Sequence, residues 1–276
     1  MIAALSTSRT VVSSRKRSTS CTQRRSRGAR GEDEDELTGP AGCHVHLRAA
    51  RLPSVTPREH WLVARSIVRV MRDSNRIEDI HRVAEITSRG RFGALLQQLR
   101  AAGSEPELLR RRPELDHERV DFETLRRLPP DTLGGAYVRH LDDNGLTLYT
   151  DPTSSEHVSD PDIRYLIHRY RQVHDIWHVL LGLGTQGHEE VLLHAFVLGH
   201  LQLPISALVV VLGSLKHIVL ERRWHTLRHE LRWAFHSGRE AAPLMLVPWE
   251  QLWDEPLVEV RRRYRIHARG DEAPQW

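Results

Sequence analysis

The sequence predicts an all-α fold, a single-domain multi-helix bundle behind a disordered N-terminal tail. Three observations predict it. Apolar residues recur at helical spacing from Thr56 onward, start and stop signals for helices punctuate the chain at short intervals, and no stretch alternates apolar with polar residues over the length of a strand. No internal repeat of fixed period accompanies this pattern.

The domain expected from these signals spans 55–268, with 1–54 before it and a polar tail at 269–276. Residues 1–30 are rich in Ser, Thr and Arg and hold no acidic residue, as mitochondrial-type targeting segments do. The acidic run Glu32–Glu36 then reverses the charge, which suits a disordered tail or a start codon placed too far upstream equally well.

Thr56-Pro57-Arg58-Glu59 reads as a capping box, with Pro at the first helical position, and opens a helix to about Met71. Further helices are predicted at Ile77–Thr87 and at Phe92–Ala102, the latter ended by Gly103. A short one starts at Ser104-Glu105-Pro106-Glu107 and closes at Pro113, and another covers Asp121–Leu128 before Pro129-Pro130. Asp131-Thr132 leads into a helix to about Leu141, followed by the turn Asp143-Asn144-Gly145 and a polar surface loop over 144–160.

Asp160-Pro161-Asp162 combines an Asp cap, a first-turn Pro and a first-turn acid, so a long helix follows to about Leu181, ended by Gly182 and Gly184. The next begins near Gly187 and runs toward Leu203. Pro204 restarts the chain into an apolar helix through about Glu221. Trp224–His236, ended by Ser237-Gly238, and Pro248–Tyr264 complete the prediction.

Composition narrows the function. Lys+Arg total 40 against 36 for Asp+Glu, and nearly all the positive charge is arginine, Lys16 and Lys216 being the only lysines. That bias reads first as coding composition and second as affinity for an anionic membrane surface. No helix-turn-helix, zinc-finger or RNA-binding signature accompanies it, so no nucleic-acid partner is expected. Cys21 and Cys43 both lie in the N-terminal head, which leaves no disulfide framework and no Cys-based zinc site for the fold. The longest apolar run, Leu203–Leu215, contains Pro204, Ser206 and Gly213 and falls short of the ~18 residues a span requires.

The chemistry-bearing stretch is His174-Asp175-Ile176-Trp177-His178, followed after eleven residues by Glu190. Positions i and i+4 share a helix face, so the two imidazoles can reach one ion. Asp175 adds a carboxylate on the adjoining face. Gly182, Gly184 and Gly187 let the chain turn back, so that Glu190 in the next helix can complete the site. Two imidazoles and two carboxylates suit Zn²⁺, with Fe²⁺ or Mn²⁺ also acceptable. In a chain with 18 histidines an i, i+4 pair on its own is more often a polar helix face than a site. The His-Asp order before the second His, and Glu190 in a glycine-bounded second helix, strengthen the site reading. The zinc-protease pattern fits less well, because Asp175 stands where that motif has Glu. A metal phosphohydrolase would need further His and Asp ligands, and none stands at a telling spacing. Glu189, beside Glu190, competes for the fourth position. His194, His200 and His217 read as surface or hydrogen-bonded histidines, outside the ligand set.

His174-Asp175-x-x-His178-x11-Glu190 resembles the zinc motif of the coenzyme Q biosynthesis protein four family. The likeness extends to Leu133-Gly134-x-Ala136-Tyr137, to Asp160–Arg171, to Leu181-Gly182, Leu203-Pro204 and to Trp249-Glu250-x-x-Trp253 with Leu257, covering roughly 58–267. The resemblance implies a helical ubiquinone-biosynthesis protein with His174, Asp175, His178 and Glu190 as metal ligands and catalytic residues. It implies a carbon–carbon lyase that removes the C1 carboxyl group of a polyprenylated hydroxybenzoate, in some accounts oxidatively. A lipid-presenting scaffold with a structural metal is the alternative. It further implies other ubiquinone-biosynthesis proteins and a polyprenyl lipid as partners, and a peripheral place on the inner mitochondrial membrane or its bacterial counterpart, on the matrix or cytoplasmic face. It leaves a homodimer open.

For the lipid tail, Leu203–Leu215 with Leu192, Leu193, Phe196 and Val197 offers either a groove or ordinary core packing. Arg164, Arg169 and Arg171 offer either anion contacts or a solvated face.

Overall fold

The computed structural model describes residues 55–73, 76–101, 107–221 and 224–271, with side chains except at 216–221 and 224–226. The head at 1–54, where a tail or targeting segment is expected, lies outside the described residues, as does the side chain of His217. Among the described residues every regular element is helical, and the only strand-like contact is one isolated bridge between Thr132 and Pro256. This is the all-α bundle the sequence predicts.

Helix α1, Pro57–Arg72, opens with the capping box read from sequence. Thr56 Oγ1 accepts from the Glu59 N–H at 3.3 Å, and Glu59 Oε2 accepts from the Thr56 N–H at 2.9 Å. Glu59 also receives Arg89 of the next helix at 3.0 Å, tying the two together.

Where two helices are expected at 77–87 and 92–102, the structure has one, α2, Ile77–Ala101. Gly90 costs a helix about 1 kcal/mol relative to Ala. Tertiary burial outweighs that cost. Val83 and Ile86 before the glycine and Phe92 and Leu96 after it are each at 2% exposure or less. Each such side chain contributes about 1.5–3 kcal/mol when fully buried.

Two short helices follow, α3 at Glu107–Arg111 and α4 at Phe122–Arg127, the second capped by Asp121. Helix α5, Leu133–Asn144, is capped by Thr132 and closed by Gly145 in the left-handed region. The polar segment after it is pinned down rather than loose. Arg171 donates to Glu85 Oε1 at 3.0 Å and to Tyr149 at 3.0 Å, and Glu85 also accepts from the Ser154 N–H at 3.1 Å.

Helix α6, Pro161–Leu181, starts where Asp160 accepts from the N–H groups of Asp162 and Ile163 at 2.8 and 3.2 Å. Helix α7, Gly187–Leu201, is buried nearly all round, as an apolar central helix must be. It packs against α8, Pro204–Glu221, and most extensively against α9, Trp224–Glu240.

Helix α9 runs past Ser237-Gly238, where the sequence places its end. Gly238 is there a point of close approach to α7 and not a terminator.

The predicted helix at Pro248–Tyr264 is also revised. Only Leu257–Tyr264 is α-helical, as α10, preceded by single 3₁₀ turns at Leu244–Leu246 and Trp249–Gln251. The intervening backbone is drawn off to α5: Trp253 and Glu255 accept from the Gly134 and Leu133 N–H groups at 2.8 and 2.9 Å, and Leu257 N–H donates to Asp131 at 2.7 Å.

The apolar side chains of α2–α10 join one core. No helix among the described residues is long and apolar enough to cross a membrane.

Candidate metal centre

Helix α6 turns Ile176, Trp177, Leu180 and Leu181 into the core at 1% exposure or less. Its adjoining face carries His174, Asp175 and His178. The His174 and His178 rings stand 5.0 Å apart between centroids, as the i, i+4 spacing requires.

The end of α6 is fixed with unusual completeness. Gly182, at φ 67°, adopts the left-handed conformation of a Schellman turn, with Leu183 N–H donating to His178 O at 2.9 Å. The remaining carbonyls are met from the far end of the domain. Arg261 of α10 donates to Leu180 O at 2.8 Å and Val179 O at 3.1 Å, and the Arg269 N–H donates to Leu181 O at 2.8 Å. All four carbonyls that a helix end leaves unsatisfied are thereby bonded. The packed chain accordingly reaches past residue 268, into the segment expected as tail.

The turn at 182–186 brings α7 back against this face. Glu190 Oε1 lies 3.2 Å from His178 Nε2, and Oε2 lies 3.8 Å from His174 Nε2. Asp175 Oδ1 stands 3.4 Å from His174 Nδ1, so the two nitrogens of that ring face different carboxylates. Glu189 does not compete for the position. It is held by Arg269 at 3.2 Å and reaches back to the Gln186 N–H at 3.2 Å.

Electrostatics match this geometry. Burial would raise the Glu190 carboxyl, but His178, His174 and His194 outweigh it and hold it down at about 2. Burial likewise opposes ionisation of Asp175, and its imidazole neighbours lower it nonetheless. Burial alone would depress His174, yet Asp175 and Glu190 raise it above its ordinary value.

His178 is completely buried, and neither ring nitrogen completes a hydrogen bond, the 3.2 Å approach to Glu190 being out of line for one. Orphaned nitrogens beside ionised carboxylates form a donor set that fits a divalent transition metal. Two trios have ligand atoms all within 4.8 Å of one another: His174 with Asp175 and His178, and His174 with Glu190 and His194.

The four residues singled out by sequence are thus gathered at one place. His194, set aside from the sequence, is gathered with them. The signal that could have found it is its spacing from Glu190, i and i+4 on α7, which repeats the spacing of the imidazole pair on α6. His140 of α5 stacks on His178 at 5.5 Å and was not singled out. His200 is structural: Nδ1 donates to Gly238 O at 3.1 Å and Nε2 accepts from the Leu244 N–H at 3.2 Å.

Most of the other site candidates resolve into packing, although Val211 and Leu215 of the apolar stretch on α8 are exposed. Arg169 is fully buried and pairs with Glu250, with 2.9 Å for Nη2 to Oε2. Arg164 donates to the carbonyls of Val158 and Ser159 at 3.2 and 3.1 Å, and Arg171 holds Glu85. Leu192, Leu193, Phe196 and Val197 are all at 0% exposure and belong to the core. Trp177, also at 0%, packs against Tyr170 and Phe196.

Comparison with known proteins agrees with this fold. The family described as "Coenzyme Q (ubiquinone) biosynthesis protein Coq4" matches residues 49–269. The mitochondrial ubiquinone biosynthesis protein COQ4 homolog of Drosophila ananassae is 32% identical over 208 residues, covering 74% of this chain and 76% of its own. The mitochondrial COQ4 protein of Coprinopsis cinerea is 27% identical over 249 residues, covering 84% of each. A crystal structure from Nostoc punctiforme superposes with a TM-score of 0.60 at 21% identity, over 75% of this chain and 95% of its own, and shares the fold. With nearly the whole described domain matched, the chain belongs to the Coq4 family of coenzyme Q (ubiquinone) biosynthesis proteins.

Proposed function

We propose that this chain holds a divalent metal, Zn²⁺ first and Fe²⁺ or Mn²⁺ next, through His174, Asp175, His178 and Glu190, and uses it to remove the C1 carboxyl group of a polyprenylated hydroxybenzoate. The observation that carries the reading is the approach of Glu190 on α7 to both imidazoles of α6, at 3.2 and 3.8 Å, one of them, His178, with ring nitrogens that complete no hydrogen bond.

A bound divalent ion supplies a Lewis acid for a phenol or carboxylate oxygen of the aromatic head. The chain's own groups set the stage. The fixed end of α6 and the turn at Gly182 hold the imidazoles in place, and the surrounding core keeps water from one side of them. As the bond between the ring and the carboxyl carbon breaks, carbon dioxide leaves, the electron pair stays on the ring carbon, and a proton takes the vacated position.

The family supports action beside other ubiquinone-biosynthesis proteins. A peripheral place on a membrane, the inner mitochondrial membrane or the bacterial cytoplasmic one, is supported by α1. Its Trp61, Val68 and Met71 are 59, 48 and 54% exposed, and the Arg65 guanidinium lies 5.2 Å over the Trp61 ring.

The test is complementation of a strain lacking its own family member, with quinone precursors followed by mass spectrometry. The parent chain is expected to restore ubiquinone, and Glu190→Gln to accumulate a carboxylated precursor while remaining folded and bound to its partners. If Glu190→Gln restores ubiquinone, the catalytic reading falls. If it loses partners in proportion to lost ubiquinone, a scaffold with a structural metal replaces it.

A further inference from the structure

We propose that His194 supplies a third imidazole to the ion held by His174, Asp175, His178 and Glu190. Helix α7 would then contribute a carboxylate and an imidazole where α6 contributes its pair. This rests on the metal reading above and extends the ligand set beyond the four motif residues.

Three observations carry it. A ring nitrogen of His194 lies with the ligand atoms of His174 and Glu190 in a group whose members are all within 4.8 Å. Glu190 and His194 stand one helical turn apart on α7, so both side chains address the same point across from His174, whose ring centroid is 6.2 Å from that of His194. Finally, the His194 ring is already oriented from behind. Its Nδ1 lies 3.1 Å from the hydroxyl of Ser206, a fully buried residue in the first turn of α8. Metal-bound histidines characteristically have their second nitrogen held in this way, which fixes the tautomer and aims the free nitrogen. With Nδ1 engaged, Nε2 is the atom left for the ion.

The neighbouring histidine on the same helix shows the contrast. Both nitrogens of His200 are spent on Gly238 and Leu244, so that ring has nothing to offer a cation. Three imidazoles beside the two carboxylates would also tilt the site toward zinc and its transition-metal neighbours and away from magnesium or calcium, which prefer all-oxygen surroundings.

X-ray absorption at the zinc edge, on the full chain loaded with zinc alone, counts the imidazoles directly. Three are expected in the parent and two in His194→Gln. Ser206→Ala, which leaves the imidazole but removes its orientation, is expected to weaken zinc binding by about tenfold or more in chelator competition. A parent with two imidazoles overturns the proposal and leaves the metal reading standing. A parent that takes up no zinc overturns both. Should His194→Gln fail to fold, the parent count decides alone.

Discussion

Gly199 of α7 and Gly238 of α9 meet backbone to backbone. A Cβ on Gly199 would stand 2.1 Å from the Phe235 carbonyl oxygen, and one on Gly238 would stand 2.1 Å from that of Phe196. Neither obstacle is a flexible side-chain tip, so relief requires the helices to separate. Gly238→Ala is expected to cost about 3 kcal/mol, the upper part of the range for overpacked cores, despite alanine's better helix propensity. Urea unfolding followed by circular dichroism checks this, and an unchanged midpoint would show that the crossing has slack.

Arg169 and Glu250 make the second expected outcome. Arg169 has no exposed side-chain surface, and Glu250 and the Val247 carbonyl are its partners. Removing one partner of a buried pair strands a charge, at about 3–5 kcal/mol. Glu250→Ala should therefore cost about 3 kcal/mol. The double variant Arg169→Met/Glu250→Leu should cost clearly less than the sum of its single changes, as read from a double-mutant cycle of unfolding free energies.

His200 should leave a mark on the pH dependence of stability. Burial pushes its pKa down to about 4, against a smaller upward pull from the Gly238 carbonyl. Unfolded, a histidine titrates near 6.5. Between about 4 and 6.5 the unfolded chain holds a proton that the folded chain refuses, so this contribution is whole above that window and is lost as pH falls through it. The slope reaches about 1.4 kcal/mol per pH unit for one proton. The stability difference between the parent and His200→Gln should shrink on going from neutral pH toward 5. A difference that stays flat would mean that His200 is not kept neutral by the fold.

How much of this was readable in advance depended on how local the cause was. The caps at Thr56 and Asp160 are chemistry between residues two or three apart, and both stand where the sequence puts them. Gly238 misled because its local signal, a helix breaker, is overruled by partners far along the chain, and the break expected between Thr87 and Phe92 fails because tertiary burial outweighs the local cost there. The start of α10 was misplaced for the same reason, since the backbone before it is spent on α5. At the candidate metal centre the imidazole pair and Glu190 were legible from spacing and turn glycines. The choice of Glu190 over Glu189 was not, because Arg269, 80 residues away, makes it. Arg169 and Arg171 suggested anion binding only while Glu250 and Glu85 were invisible. His194 was hidden among many histidines until Ser206 and His174 framed it.

The bonding of the end of α6 has a consequence for the order of events during synthesis. The imidazole pair is made well before Arg261 and Arg269, which close the carbonyls behind it. A ribosome must therefore release nearly the entire domain before that helix terminus can be sealed. Until then the last turn is free to fray, and the cation capture proposed above would belong to the final stage of maturation rather than to its nucleation.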